Sequence, residues 1–152
     1  MGNGYGQTVV GNWGTSLRLS ADGQPEMKAG GITVDWNTVP VVNAGADTTW
    51  DDGIVVPAGT KALRYGTVLT QITASGMWGP CDTTAVDGRQ AGARGTVFLL
   101  DRSVLEDEVK SMYPPVLEGG LVWKDRILAG GANQMTFANL EAALPRLRYA
   151  AV

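Results

Sequence analysis

Histidine is absent from all 152 residues, and cysteine occurs once, as Cys81. Without imidazole this chain builds no Ser–His–Asp triad, no Cys–His nucleophile pair, no histidine metal site and no charge switch near neutral pH. A single thiol forms neither an internal disulfide nor a CxxC pair, so a disulfide-stapled module is excluded. Charged side chains make up 18% of the chain, below the usual value of about 25%. No apolar run approaches the roughly 20 residues of a membrane-spanning helix, so no membrane partner is expected. The opening residues, Met1-Gly2-Asn3-Gly4-Tyr5-Gly6, have neither a basic region nor an apolar core, and no secretory signal is expected in them.

The charges that remain are unevenly spread. The net charge is −3, from 12 basic and 15 acidic side chains. Residues 1–60 carry only Arg18 and Lys28 against six carboxylates, whereas residues 61–152 are close to balance. Nucleic-acid binders present a basic face. None is indicated here, so no nucleic-acid partner is expected.

Glycine is abundant, at 21 residues. Residues 1–15 are glycine-rich with interspersed Tyr5, Val9, Val10 and Trp13, and they lack helical periodicity. They read as an extended N-terminal arm, with residues 16–152 forming one β-rich domain. Beyond the arm, short apolar alternations are separated by turn signals. Ile32, Val34 and Trp36 alternate with polar residues. Pro40 marks an edge or irregular strand. Asp51-Asp52-Gly53 and Pro57-Ala58-Gly59 read as turns. The densest strand signal runs from Lys61 to Ile72, with Gly66 marking a bulge or bend. Residues 75–95 read as a long connection, 96–100 as a buried strand, and 116–128 as a strand broken at Glu118-Gly119-Gly120. Two segments have helical signals. Ser103-Val104-Leu105-Glu106 has the capping-box form, and Thr136 can cap a helix carrying Phe137, Leu140, Ala143, Leu144 and Leu147, with Pro145 bending or ending it. The pattern predicts a mainly β fold with one or two short helices.

Chemistry-bearing residues are few. Asp47, Asp51 and Asp52 cluster in sequence, as do Asp82 and Asp87. A glycosidase needs two carboxyls held across a cleft, but Asp beside Gly is characteristic of turns. Glu106, Asp107 and Glu108 complement a helix N-terminus. Gly2-x-Gly4-x-Gly6 neither follows a strand nor opens a helix, so it is not a dinucleotide fingerprint. Asp82 beside Cys81 should raise the thiol pKa, which favours an inert cysteine. No metal and no cofactor is expected. Of five tryptophans, Trp13, Trp36, Trp50 and Trp78 adjoin turn-like sequence. Such residues either cover the ends of a β core or anchor a partner.

One ordered series of motifs is more particular. It runs from Val56-Pro57-Ala58-Gly59-Thr60 through Leu63-Arg64-Tyr65-Gly66-Thr67-Val68-Leu69 to Trp78-Gly79-Pro80-Cys81-Asp82. It continues with Asp87-Gly88-Arg89-Gln90, Thr96-Val97-Phe98-Leu99-Leu100, and Leu117-Glu118-Gly119-Gly120-Leu121-Val122-Trp123-Lys124. Over residues 54–129 this resembles the head decoration, or capsid cement, proteins of tailed bacteriophages. The resemblance implies a small tulip-like or barrel-like β domain that is not an enzyme. It also implies homotrimers on the outer surface of the virion, bound to the major capsid protein and made in the host cytoplasm. The N-terminal arm would bridge capsid subunits, with Tyr5, Gln7, Val9, Val10 and Trp13 as contacts, and Trp36, Trp50 and Trp78 as further interface anchors. The alternative is a glycan-binding β module that stacks sugar on Trp50, Trp78 or Trp123. Residues 54–63 also look like a strand–turn–strand of trimeric nucleotide hydrolases, but the Asp-x-Gly-Tyr-like motif of those enzymes is missing.

Overall fold

The strand-and-turn rhythm predicts β structure, and a computed structural model describing residues 18–109 and 114–150 is mainly β. Its strands are β1 (Glu26–Met27), β2 (Thr48–Thr49), β3 (Val55–Val56), β4 (Ala62–Leu63), β5 (Val68–Gln71), β6 (Trp78–Pro80), β7 (Val97–Leu100), β8 (Val104–Leu105), β9 (Val116–Val122) and β10 (Leu147–Tyr149). One α-helix among the described residues, α1, spans Phe137–Ala143.

The principal sheet runs β1-β9-β7-β5-β6, with β10 also pairing β9. The β7–β5 and β7–β9 ladders are antiparallel, and β10 joins β9 in parallel. Neighbouring side chains of β5, β7 and β9 point to opposite faces, and both faces are covered. Val68, Val97, Leu99 and Leu117 join Tyr65, Leu140 and Leu144 on one side. Leu69, Phe98, Leu100 and Val116 join Ile32, Val34 and Val39 on the other. Burial on both sides explains the unbroken apolar run 97–100, since only one-sided burial demands alternation.

Gly66 shows why the 61–72 run divides into β4 and β5. Its φ is +85°, and a Cβ there would lie 2.0 Å from the Arg126 carbonyl oxygen. The chain turns at this point and passes against the Arg126–Ile127 backbone. By contrast, Gly119 and Gly120 do not break β9. Gly120, at φ +114°, lets Pro25 and the Glu26 backbone approach closely, and the strand continues to meet β10.

Three other expectations need correcting. Ser103 does not cap an α-helix. Its hydroxyl accepts from the Tyr65 amide at 2.9 Å and donates to Asp52, so 104–105 form β8 and only a 3-10 turn follows at Glu106–Val109. The connection 75–95 contains a strand, β6, despite its glycine and proline. Pro80 lies opposite Leu69, and the Cys81 amide donates to the Val68 carbonyl at 2.8 Å. Ile32, Val34 and Trp36 form no strand. Val34 makes a single bridge to Trp78, and Trp36 starts a 3-10 turn capped by the Asp35 carboxylate. Thr136 does cap α1, accepting from the Asn139 amide at 3.2 Å. The helix stops before Pro145, so Leu147 belongs to β10.

Candidate functional site

Residues 40–61 form an excursion outside the principal sheet. Val41 bridges Lys61, and β2 pairs β3. Within this excursion the Asp51-Asp52-Gly53 turn forms as expected, with the Gly53 amide donating to the Trp50 carbonyl at 2.9 Å. Its two carboxylates face different partners. Asp52 is buried, accepting from the Ile54 amide and the Ser103 hydroxyl. Asp51 accepts from the Tyr65 hydroxyl at 2.7 Å and from Arg64 at 3.1 Å. The Arg64 guanidinium also lies 4.3 Å from the centre of the Tyr65 ring, within cation–π range.

These contacts set the electrostatics. Partial burial pushes the Asp51 pKa up, but the Tyr65 hydrogen bond and Arg64 outweigh it and hold the carboxyl below its ordinary value. The Tyr65 phenol is pushed up to about 12, by burial and then by its bond to Asp51. The turn reading also holds at the other acidic cluster, where Asp82 accepts from the Thr84 amide and hydroxyl and Asp87 pairs with Arg89.

Between the excursion and the sheet lies a groove of about 320 Å³. Val39, Pro40 and Trp50 line one part of it, and Arg64, Cys81 and Leu128 line another. Its walls are mainly apolar, and its charged group, Arg64, is already engaged by Asp51 and by the Tyr65 and Arg126 carbonyls. Burial is the main cause that raises the Cys81 thiol pKa, with Asp82 adding to it. Cys81 is therefore a poor nucleophile here. A second depression, of about 480 Å³, lies near Lys28, Thr33, Gln71 and Trp78.

The tryptophans separate by environment. Trp78 is 5% exposed, and its ring packs on Phe98 with centroids 4.8 Å apart. As a core side chain, it is corrected as a surface anchor and as a sugar platform. Trp36 is half-buried against the same core cluster, and its carbonyl accepts from Lys61 at 2.8 Å. Trp50 is half-buried at the groove. Trp123 carries the Arg126 guanidinium 5.1 Å from its ring centre. Tyr5, Gln7, Val9, Val10 and Trp13 lie outside the described residues.

Sequence reasoning overlooked Val39, Pro40 and Arg64, which line the groove with Trp50, and Tyr65 as the partner of Asp51. Arg64 and Tyr65 were hidden inside a strand pattern, and the pairing of Tyr65 with Asp51 spans a loop. Among the described residues no group of three or more Cys, Asp or Glu side chains could hold a metal ion, and no helix is long and apolar enough to cross a membrane. The fold and groove define a mainly β domain with an apolar recess beside an excursion. No family model, curated protein or solved structure matches the chain.

Proposed function

We propose that the chain is a head decoration protein of a tailed phage, binding the outer surface of expanded heads as trimers with the 1–15 arm laid across capsid subunits. One observation carries this reading. Four of the six motifs behind the resemblance, at residues 63–69, 78–82, 96–100 and 117–124, contribute the strands of the hydrogen-bonded series β6-β5-β7-β9. The arm would also start from a fixed point. Arg18 donates from Nε and Nη2 to the buried Asp101 carboxylate at 2.9 and 2.6 Å, and Asp101 accepts from the Ser20 amide as well. Three arms on one trimer gain avidity from linkage, and preference for the expanded shell stabilises it by mass action.

Co-sedimentation with expanded and unexpanded heads of the phage that carries the gene tests this proposal. Binding is expected only to expanded heads, and deletion of residues 2–14 should weaken it by about 100-fold or more, the scale of lost avidity. Undiminished binding by the truncated chain would remove the arm from the mechanism. A stable dimer in sedimentation would contradict trimeric decoration. A glycan-binding module is the second reading, favoured by Trp50 at the groove. Glycan-array binding lost in Trp50→Ala would support it over decoration.

A further inference from the structure

We propose that Phe137, Tyr149 and Glu141 form a binding site for quaternary ammonium groups, and that in the free chain the Lys124 side chain is its occupant. The inference does not depend on capsid binding.

Three elements build the site. Lys124 starts the 3-10 turn after β9, Phe137 opens α1 and Tyr149 ends β10. The rings of Phe137 and Tyr149 meet edge to face, with centres 6.4 Å apart and planes at 83°. The Lys124 ammonium stands in the corner between them, 4.8 Å from the centre of Phe137 and 4.9 Å from that of Tyr149. Both distances lie within the roughly 6 Å over which a ring face attracts a cation. The Tyr149 hydroxyl donates to the Glu141 carboxylate at 2.9 Å, so a negative charge stands at the phenol end of one wall. Aromatic rings around a cation are the means by which choline and methylated lysine are recognised.

The walls are held in place, and the occupant can leave. Both rings pack against the core cluster of Tyr65 and Leu140. Thr136 caps the turn that carries Phe137, and Tyr149 is paired with Val122 in the sheet. Lys124 is exposed, and among the described residues it enters no ion pair. Its ammonium is compact, strongly hydrated and carried on a flexible stem. A quaternary ammonium gives up less hydration and lays methyl groups on both rings, so it is the better occupant. Lys124 then acts as a plug, and it lowers the apparent affinity by the share of time it is seated.

The chain has two phenylalanines, Phe98 and Phe137, and Phe98 belongs to the other core cluster. Ring-labelled phenylalanine therefore gives an NMR titration one set of signals at the site and one control set away from it. With choline chloride, against sodium chloride of equal ionic strength, the Phe137 signals should move while those of Phe98 stay. Unchanged Phe98 signals also show that each variant is folded. Lys124→Gln should bind choline about tenfold more tightly than the natural chain, the gain expected when a plug seated about nine-tenths of the time is removed. Adding Tyr149→Leu should weaken that binding by about fivefold, the share of one ring. The neutral isostere 3,3-dimethylbutanol should bind about tenfold or more weakly than choline, having no charge for the rings to attract. No movement of Phe137 in Lys124→Gln, or equal affinity for choline and the isostere, would overturn the site. Equal choline affinity in Lys124→Gln and the natural chain would overturn the plug. Parallel titrations with phosphocholine and N-acetyl-trimethyllysine amide tell, by the tightest of the three ligands, whether the group arrives free, on a lipid headgroup or on a protein chain.

Discussion

Strands β5, β7 and β9 are clad in apolar side chains on both faces, whereas residues 40–61 bury only Asp52 and Val56 and leave Val41 and Val55 40% and 50% exposed. The sheet centre is held by area removed from water, a force without direction. The excursion is held by directed bonds. Asp52 meets Ser103, Asp51 meets Tyr65 and Arg64, and Lys61 meets the Trp36 carbonyl. Such bonds add little net stability each, but leaving a buried partner unsatisfied costs more than the bond is worth. The groove lies where these two kinds of structure meet, so its shape depends on a handful of polar contacts.

The largest effect should come from breaking the sheet's own boundary. Gly66→Ala puts a Cβ 2.0 Å from the Arg126 carbonyl oxygen, at a φ of +85°. Backbone cannot give way there as a flexible side chain could. The expected loss is about 3 kcal/mol or more, read as a lower urea midpoint with all probes moving together. Loss of excursion structure alone would show that the sheet does not depend on this crossing.

Asp52→Ala should come next, and should act on the excursion alone. It strands the Ser103 hydroxyl and the Ile54 amide, at a cost of about 1–3 kcal/mol. Amides 43–60 should exchange with solvent faster while those of β5 and β7 keep their protection. Asp52→Asn retains an acceptor for Ile54, and the serine hydroxyl can rotate to accept, so this variant should lie close to wild type. Uniform loss of protection across β5 and β7 in Asp52→Ala would erase the distinction between the two regions.

The same distinction explains what could be read from sequence. The run 97–100 and the alternation in 68–71 announce themselves, because burial leaves a pattern within one short window. The Thr136 cap and the turns at Asp51 and Asp82 were legible for the same reason, each being a bond between near neighbours. Ser103 misled because its capping-box spacing is a local signal, and a distant partner, Asp52, won its hydroxyl. Trp78 misled because the neighbouring glycine and proline look like a loop, yet its ring packs on Phe98 within the buried cluster that includes Val34. The groove was illegible throughout. Val39, Trp50, Arg64, Cys81 and Leu128 meet only after the excursion has docked, and no spacing encodes that.

The smallest effect sharpens the comparison by titration. Tyr65→Phe keeps the buried ring and removes only the hydroxyl that holds Asp51, so near neutral pH it should cost about 1 kcal/mol. The two chains should differ more in their response to pH. In the fold the Tyr65 pKa is raised from 10.0 to about 12, by burial and by Asp51. The phenol therefore ionises earlier in the unfolded chain. Its contribution is whole below pH 10 and drains away as the pH rises through about 12. Wild-type stability should fall over that window, and the fall should be shallower in Tyr65→Phe. It should not vanish, because burial and a bond to Glu141 raise the Tyr149 pKa too. On the acid side the sign reverses. Asp51 is held below its ordinary 3.8, so its share is present above that value and is lost as the pH falls through the lower, folded one. At 55% side-chain exposure that share is screened by solvent and small. Parallel alkaline profiles for the two chains would mean that the Tyr65 hydroxyl does not join the excursion to the sheet, leaving Asp52 and Ser103 to hold the wall of the groove.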